Sequence, residues 1–196
     1  MSLAKYKQKR NFDITPEPKA VVKKASANLS FVVQRHKASH LHYDFRLEMD
    51  GVLKSWAVPK GPSMNAGDKR LAMMVEDHPY SYKDFKGNIP EGYGAGIVEI
   101  WDSGKYTDID NSGKDAEKKL KEALQAGSLK FILFGKKLKG EFALVKLKGK
   151  QENSWLLIKH KDVYAVTTAY DSENETPASS PINKWLAKNK IPEKKK

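Results

Sequence analysis

The chain has 196 residues, with 36 Lys and Arg against 24 Asp and Glu for a formal charge of +12, and 39% hydrophobic residues. That composition supports a packed core and excludes a globally disordered chain. No apolar run approaches the ~18–20 residues that span a bilayer. With zero Cys there is no disulfide, thiolate zinc site or cysteine nucleophile. No apolar stretch follows the basic start, so a soluble cytoplasmic, nucleoid-associated protein with an anionic partner is the expectation. The charge is uneven. Residues 1–24 carry a net +5, residues 181–196 another +5, and the body between them only +2. Such basic ends suit either sequence-independent phosphate contact or solubilising tails.

Residues 1–30 read as irregular, with Pro16 and Pro18 blocking regular structure. Phe31-Val32-Val33 opens the first strand. Leu41, Tyr43, Phe45, Leu47 and Met49 then alternate with His42, Asp44, Arg46, Glu48 and Asp50, the period-two pattern of a half-buried strand. Asp50-Gly51 predicts a tight hairpin into 52–58. Strands are expected at 71–75 and 96–101, separated by a turn-rich stretch from His78 to Gly94. Residues 115–126 predict a helix with Leu120 and Leu124 on one face, ending at Gly127. Strands follow at 129–134, 141–147 and 154–160. Residues 171–181 read as a disordered linker, and 182–189 as a short helix. The pattern predicts a mainly β protein: a closed or partly closed antiparallel β-barrel with one or two flanking helices. Residues 1–170 would form this domain, and 171–196 a linker and basic tail. Trp56, Trp101 and Trp155 lie in strands and belong to the core.

Three of the five His fall within seven residues: His36, His40 and His42. On an extended strand His42, Asp44 and Arg46 project from one face at ~6–7 Å intervals. Imidazole and carboxylate can hold a divalent metal, and the guanidinium fork matches phosphate oxygens. His36 can add a second imidazole, while His40, before the regular strand, stays outside the set. Donors of N and O without S suit Mn²⁺ or Zn²⁺. An exposed, inert polar face of the strand is equally open on spacing alone. His78 and Tyr82 form a second candidate pair in a Pro-containing loop.

The run from Phe31 to Pro62, FVVQRHKASHLHYDFRLEMDGVLKSWAVPKGP, resembles the 3′-phosphoesterase domain of bacterial DNA ligase D. So do Val75-Glu-Asp-His78-Pro79, Ile89-Pro-Glu-Gly92 with Tyr93-Gly-Ala-Gly96, residues 98–104, residues 155–160, and the opening 6–12 with Thr15-Pro-Glu17-Pro18. The resemblance spans residues 6–164 and implies a β-barrel that removes 3′-terminal ribonucleosides and 3′-phosphates with Mn²⁺, leaving a 3′-OH. It implies that His36, His42 and Asp44 hold the metal. Arg46, His78 and Tyr82 would engage the phosphate or move protons, with His78 a candidate acid for the leaving group. Arg10, Glu17, Arg70 and Glu76 would support phosphate binding from outside. Two departures are visible. Asn11 stands where the family has Asp, and Gly92 runs straight into Tyr93, shortening one loop by a residue. The expectation is a stand-alone, monomeric version acting on DNA or RNA-containing 3′ ends of primer–template duplexes, with ligase or polymerase supplied in trans. A non-catalytic barrel that binds nucleic acid through its basic ends is the alternative.

Overall fold

The computed structural model describes residues 3–23, 28–149 and 151–189. Eight antiparallel strands close on themselves: β1 (Ser30–Lys37), β2 (Leu41–Met49), β3 (Val52–Val58), β4 (Lys69–Met74), then β10 (Ser154–Lys159), β9 (Lys139–Lys146), β8 (Ser128–Phe134) and β7 (Gly96–Asp108), which returns to pair with β1. The short strands β5 (His78–Pro79) and β6 (Gly87–Ile89) pair outside this ring, with β3 and β7. The barrel expectation holds.

Strand alternation divides the molecule into an inner and an outer core. Phe31, Val33, Tyr43, Phe45, Leu47, Trp56 and Val58 point inward and meet Phe131, Phe142, Leu144 and Trp155. All three strand tryptophans are buried. The β2–β3 hairpin turns on Asp50 and Gly51 at φ 54° and 71°, the pair of left-handed residues that a two-residue loop requires. Helix α2 (Ala116–Ala126) buries Leu120 and stops at Gly127, as expected.

The outward face of β1 and β2 is also covered, which the alternating pattern does not show. Leu3, Tyr6, Val52, Leu53, Tyr82, Phe85, Ile89 and Val98 form a second apolar cluster there. Its lid comes from two stretches read as irregular or turn-rich. Residues 4–8 are helical (α1, Ala4–Gln8), with Tyr6 fully buried. The 78–94 excursion contains β5, a 3-10 turn over Tyr80–Asp84, and β6. Strand β7 is also longer than expected. It carries a bulge opposite Val33 and Gln34, where Trp101 is the extra residue.

Residues 171–181 are not a disordered linker. Arg35, inside the open end of the barrel and fully buried, donates to Glu99 (2.9 Å), Glu173 (2.8 Å) and Asn183 (2.9 Å). Ser172 donates to the Pro62 carbonyl, and Ser180 caps α3 (Pro181–Lys188), whose Ile182 is buried. Polar composition reads as disorder because partners such as Arg35 and Pro62 lie over a hundred positions away. Of the linker and basic tail expected over 171–196, residues 190–196 lie outside the described residues.

Candidate metal and phosphate site

The site lies between the outer face of the barrel and its lid, and strand register assembles it. His36 faces His42 across β1–β2, and Asp44 follows His42 by two residues on the same face. The His36 and His42 rings are 4.8 Å apart. The Asp44 carboxylate stands 3.7 Å from His36 Nδ1 and 3.8 Å from His42 Nε2. One ligand atom from each lies within 4.8 Å of the other two, the one such group among the described residues.

Backbone carbonyls set the protonation of both rings. His36 Nε2 lies 3.0 Å from the Gly94 carbonyl, and His42 Nδ1 lies 3.0 Å from the His40 carbonyl. A carbonyl only accepts, so each of these nitrogens carries the proton and each opposite nitrogen turns its lone pair towards Asp44. Burial alone would raise the Asp44 carboxyl. The Arg46 guanidinium outweighs it and holds Asp44 below the ordinary carboxylate range. Two aimed lone pairs and an ionised carboxylate are a donor set that fits Mn²⁺ or Zn²⁺. His40 is exposed and contributes its backbone alone. Gly94 holds its carbonyl in place at φ 81°, a conformation that costs an L side chain about 1–2 kcal/mol. Gly94→Ala is therefore expected to shift this carbonyl and weaken Mn²⁺ binding roughly 10–100-fold, read by calorimetric titration.

Arg46 is almost fully buried, so the inert-polar-face reading of β2 falls. Its Nε donates to Gln34 Oε1 (2.8 Å), Nη1 to Ser55 Oγ (2.9 Å) and Nη2 to Asp44 Oδ2 (2.9 Å), and it stacks 4.8 Å from the Tyr82 ring centroid. Three of five N–H groups are thereby used. One remains on each terminal nitrogen, in a fixed orientation suited to an anion. Gln34 is a site residue that the sequence reading missed. Its Nε2 donates to the Tyr82 and Phe85 carbonyls, tying the lid to the barrel while its oxygen orients Arg46. Alternation carries the signal: Gln34 shares the outward face of β1 with His36.

The lid adds a second group. Glu17 Oε1 accepts from Arg10 Nε and from the Tyr82 hydroxyl, both at 2.8 Å, and Arg10 Nη1 reaches Glu76 at 3.2 Å. Arg10, Glu17, His36, His42, Asp44, Arg46, Glu76, His78 and Tyr82 thus line one cavity of about 220 Å³. Tyr82 is a buried phenol committed to Glu17, with its pKa pushed well up by burial.

His78 lies in the cavity as expected, whereas Arg70 and Asn11 do not. His78 is held neutral, since burial and then the charges of Arg46 and Arg10 push its pKa well below 6.5. Its Nδ1 donates to the Glu76 carbonyl (2.9 Å), and its Nε2 accepts from Arg10 (3.1 Å), so both ring nitrogens are engaged by neighbouring residues. Arg70 is not in the cavity. Ala72 points into the barrel, so Arg70, two residues earlier on β4, faces the inner rim. There it pairs with Asp68 (2.8 Å) and the Tyr170 carbonyl (2.7 Å). Asn11 is also outside, exposed and accepting from the Asp13 backbone N–H. The Asn for Asp departure therefore leaves the cavity lining unchanged.

The neutral state of His78 has a stability consequence. The unfolded chain takes up a proton as pH falls through about 6.5 and the folded chain does not. The stability present above that value is lost as pH falls towards the depressed folded value, by up to about 1.4 kcal/mol per pH unit. Tm is expected to fall between pH 7 and 5, and His78→Gln to flatten that part of the curve in thermal melts.

The family model of the DNA ligase D 3′-phosphoesterase domain matches residues 34–146, which includes His36, His42, Asp44, Arg46 and the 76–94 lid. The chain belongs to that family. It is 50% identical over 165 residues to a multifunctional non-homologous end joining protein LigD of Pseudomonas aeruginosa, covering 82% of this chain and 19% of that protein. The LigD protein of Mycolicibacterium smegmatis is 42% identical over 168 residues, covering 82% of this chain and 21% of its own. That of Mycobacterium tuberculosis is 42% identical over 156 residues, covering 79% and 19%. The chain thus spans about a fifth of the length of these relatives. As a member of a phosphoesterase family it is a hydrolase domain. No helix among the described residues is long and apolar enough to cross a membrane.

Proposed function

We propose that this chain is a divalent-metal-dependent 3′-phosphoesterase that repairs DNA or RNA-containing 3′ ends. The observation that carries the reading is the juxtaposition of the His36–His42–Asp44 donor set with Arg46, 2.9 Å from Asp44 and with a free N–H on each terminal nitrogen. Mn²⁺ held there would polarise a phosphate oxygen as a Lewis acid. Arg46 binds the non-bridging oxygens and neutralises charge as it develops. Fixed by Gln34, Ser55 and Asp44, it needs no reorganisation at that moment. Arg10, engaged by Glu17, Glu76 and His78, supplies a further N–H and positions the lid.

Two reactions follow from such a site. On a 3′-terminal ribonucleoside, water adds to phosphorus and the P–O5′ bond breaks, the leaving oxygen taking the proton and a 3′-phosphate remaining. On that 3′-phosphate, water adds and the P–O3′ bond breaks, giving a 3′-OH and inorganic phosphate. A 3′-OH is what ligation requires, which agrees with the end-joining role named for the relatives. A ligase or polymerase acting with this chain belongs to the same proposal, as does its action as a monomer.

The test incubates the protein with primer–templates ending in a ribonucleotide or a 3′-phosphate, with Mn²⁺ and with EDTA. Metal-dependent conversion to a 3′-OH is expected. Binding without product from either end under any divalent metal would leave a nucleic-acid-binding barrel instead.

A further inference from the structure

The site cavity, at about 220 Å³, is smaller than the ~300 Å³ at which small-molecule clefts begin, so it admits the reacting phosphate and little more. The strand attached to that phosphate must leave through an opening. A second hollow of about 580 Å³ shares Val75, Glu76 and Tyr93 with the cavity wall and extends past Lys5, Lys9, Lys146 and Asn153. The three lysines and Asn153 are exposed, and Glu152 is the one exposed carboxylate along it. Glu76 is buried and already paired with Lys9 (2.9 Å) and Arg10. Lys5 in α1 and Lys9 at its C-cap, four positions apart, are neighbours on one side of that turn.

Tyr93 stands where hollow and cavity meet. Its ring is half exposed, among the most exposed aromatics described, and Lys9 lies 4.2 Å from its centroid. Glycines at φ 82° and 81° flank it. An exposed aromatic beside a track of lysines is the combination that binds single-stranded nucleic acid: bases stack on the ring while lysines follow the phosphates.

We infer that this hollow is the exit track for the strand bearing the 3′ end, with Tyr93 stacking a base next to the reacting phosphate and Lys5, Lys9 and Lys146 contacting the phosphates behind it. The inference rests on the phosphoesterase reading and names how that site takes hold of a polynucleotide.

The test compares a 3′-phosphorylated single-stranded oligonucleotide with a nucleoside 3′-phosphate. Tyr93→Ala is expected to lower kcat/KM on the oligonucleotide tenfold or more, through KM, and to reduce the preference for oligonucleotide over nucleotide by the same factor. Tyr93→Phe retains the ring and should retain the preference. Lys5→Ala with Lys146→Ala should reduce the slope of log affinity against log salt by about one per lysine. Equal losses on both substrates, no loss on either, or competition by an acidic peptide as strong as by an oligonucleotide of equal charge would overturn the track. If the wild-type protein hydrolyses neither of these nor a primer–template ending in a 3′-phosphate, the phosphoesterase reading fails. Fluorescence anisotropy of the oligonucleotide on wild type and Tyr93→Ala then decides the track alone, with unchanged affinity overturning it.

Discussion

His42→Ala is expected to abolish Mn²⁺-dependent turnover of both 3′-ribonucleotide and 3′-phosphate ends, a loss on the order of 10³-fold. The fold should survive. The His42 side chain is 23% exposed and anchored by one bond to the His40 carbonyl, so its removal should cost about 1 kcal/mol or less. Metal binding to the folded state separates this outcome from general damage. At a hundredfold excess over Kd, Mn²⁺ should stabilise the wild type by about 2.7 kcal/mol, and that rise in Tm should largely vanish in the variant. Asp44→Asn tests the carboxylate in the same way. It keeps an acceptor beside Arg46 but loses the charge that the two imidazole lone pairs face. Retained turnover in His42→Ala, or an undiminished Mn²⁺ shift, would remove the donor set from the mechanism.

Arg46→Ala is expected to fail in a different manner, losing stability as well as activity. The guanidinium sits at 2.9 Å from a buried carboxylate, and its deletion strands Asp44, Gln34 Oε1 and Ser55 Oγ together. Breaking a buried ion pair from one side costs about 3–5 kcal/mol, because the remaining charge keeps its desolvation penalty without its partner. A distinctive feature follows from the position of Asp44 in the donor set. A divalent cation at His36, His42 and Asp44 supplies positive charge where Arg46 supplied it, so Mn²⁺ should stabilise Arg46→Ala more than the wild type. Arg46→Lys should recover stability better than turnover, since an ammonium keeps the charge but lacks the planar fork. Chemical denaturation with and without Mn²⁺, alongside single-turnover assays, checks both halves. Equal Mn²⁺ stabilisation of wild type and Arg46→Ala would show that the two charges do not share Asp44.

The lid explains why a polar barrel face is buried at all. A strand with His, Asp, Arg and Glu on alternate positions would ordinarily be solvated, and its charges worth little. Tyr6, Tyr82 and Phe85 cover it instead, so each charge must find a partner. Arg10 meets Glu17 and Glu76, and Arg46 meets Asp44. These pairs are the condition for burying the site. Burial in turn keeps His78 neutral and leaves the unused N–H groups of Arg46 and Arg10 as the available donors for an anion.

What was decided by local sequence is what depends on near neighbours. Period-two alternation over 41–49 placed β2 and set His42, Asp44 and Arg46 on one face, and Asp50-Gly51 set the hairpin, because both follow from backbone geometry within a few residues. The motifs from 31 to 62 and around 78 sufficed for the family. Contacts between distant segments could not be read that way. Whether the polar face of β2 meets water or a lid depends on residues 3–23 and 76–94, whose irregular composition conceals that they pack. Arg70 carried the same motif-level promise as Arg46, yet alternation from Ala72 turns it to the inner rim. Residues 171–181 looked disordered because polar side chains pay for their order only through partners such as Arg35, 138 positions away from Glu173. The residue types were local information, whereas the ionisation of Asp44 and His78 and the placing of Tyr93 beside the lysines depend on burial and on long-range pairing, which only the closed barrel and its lid impose.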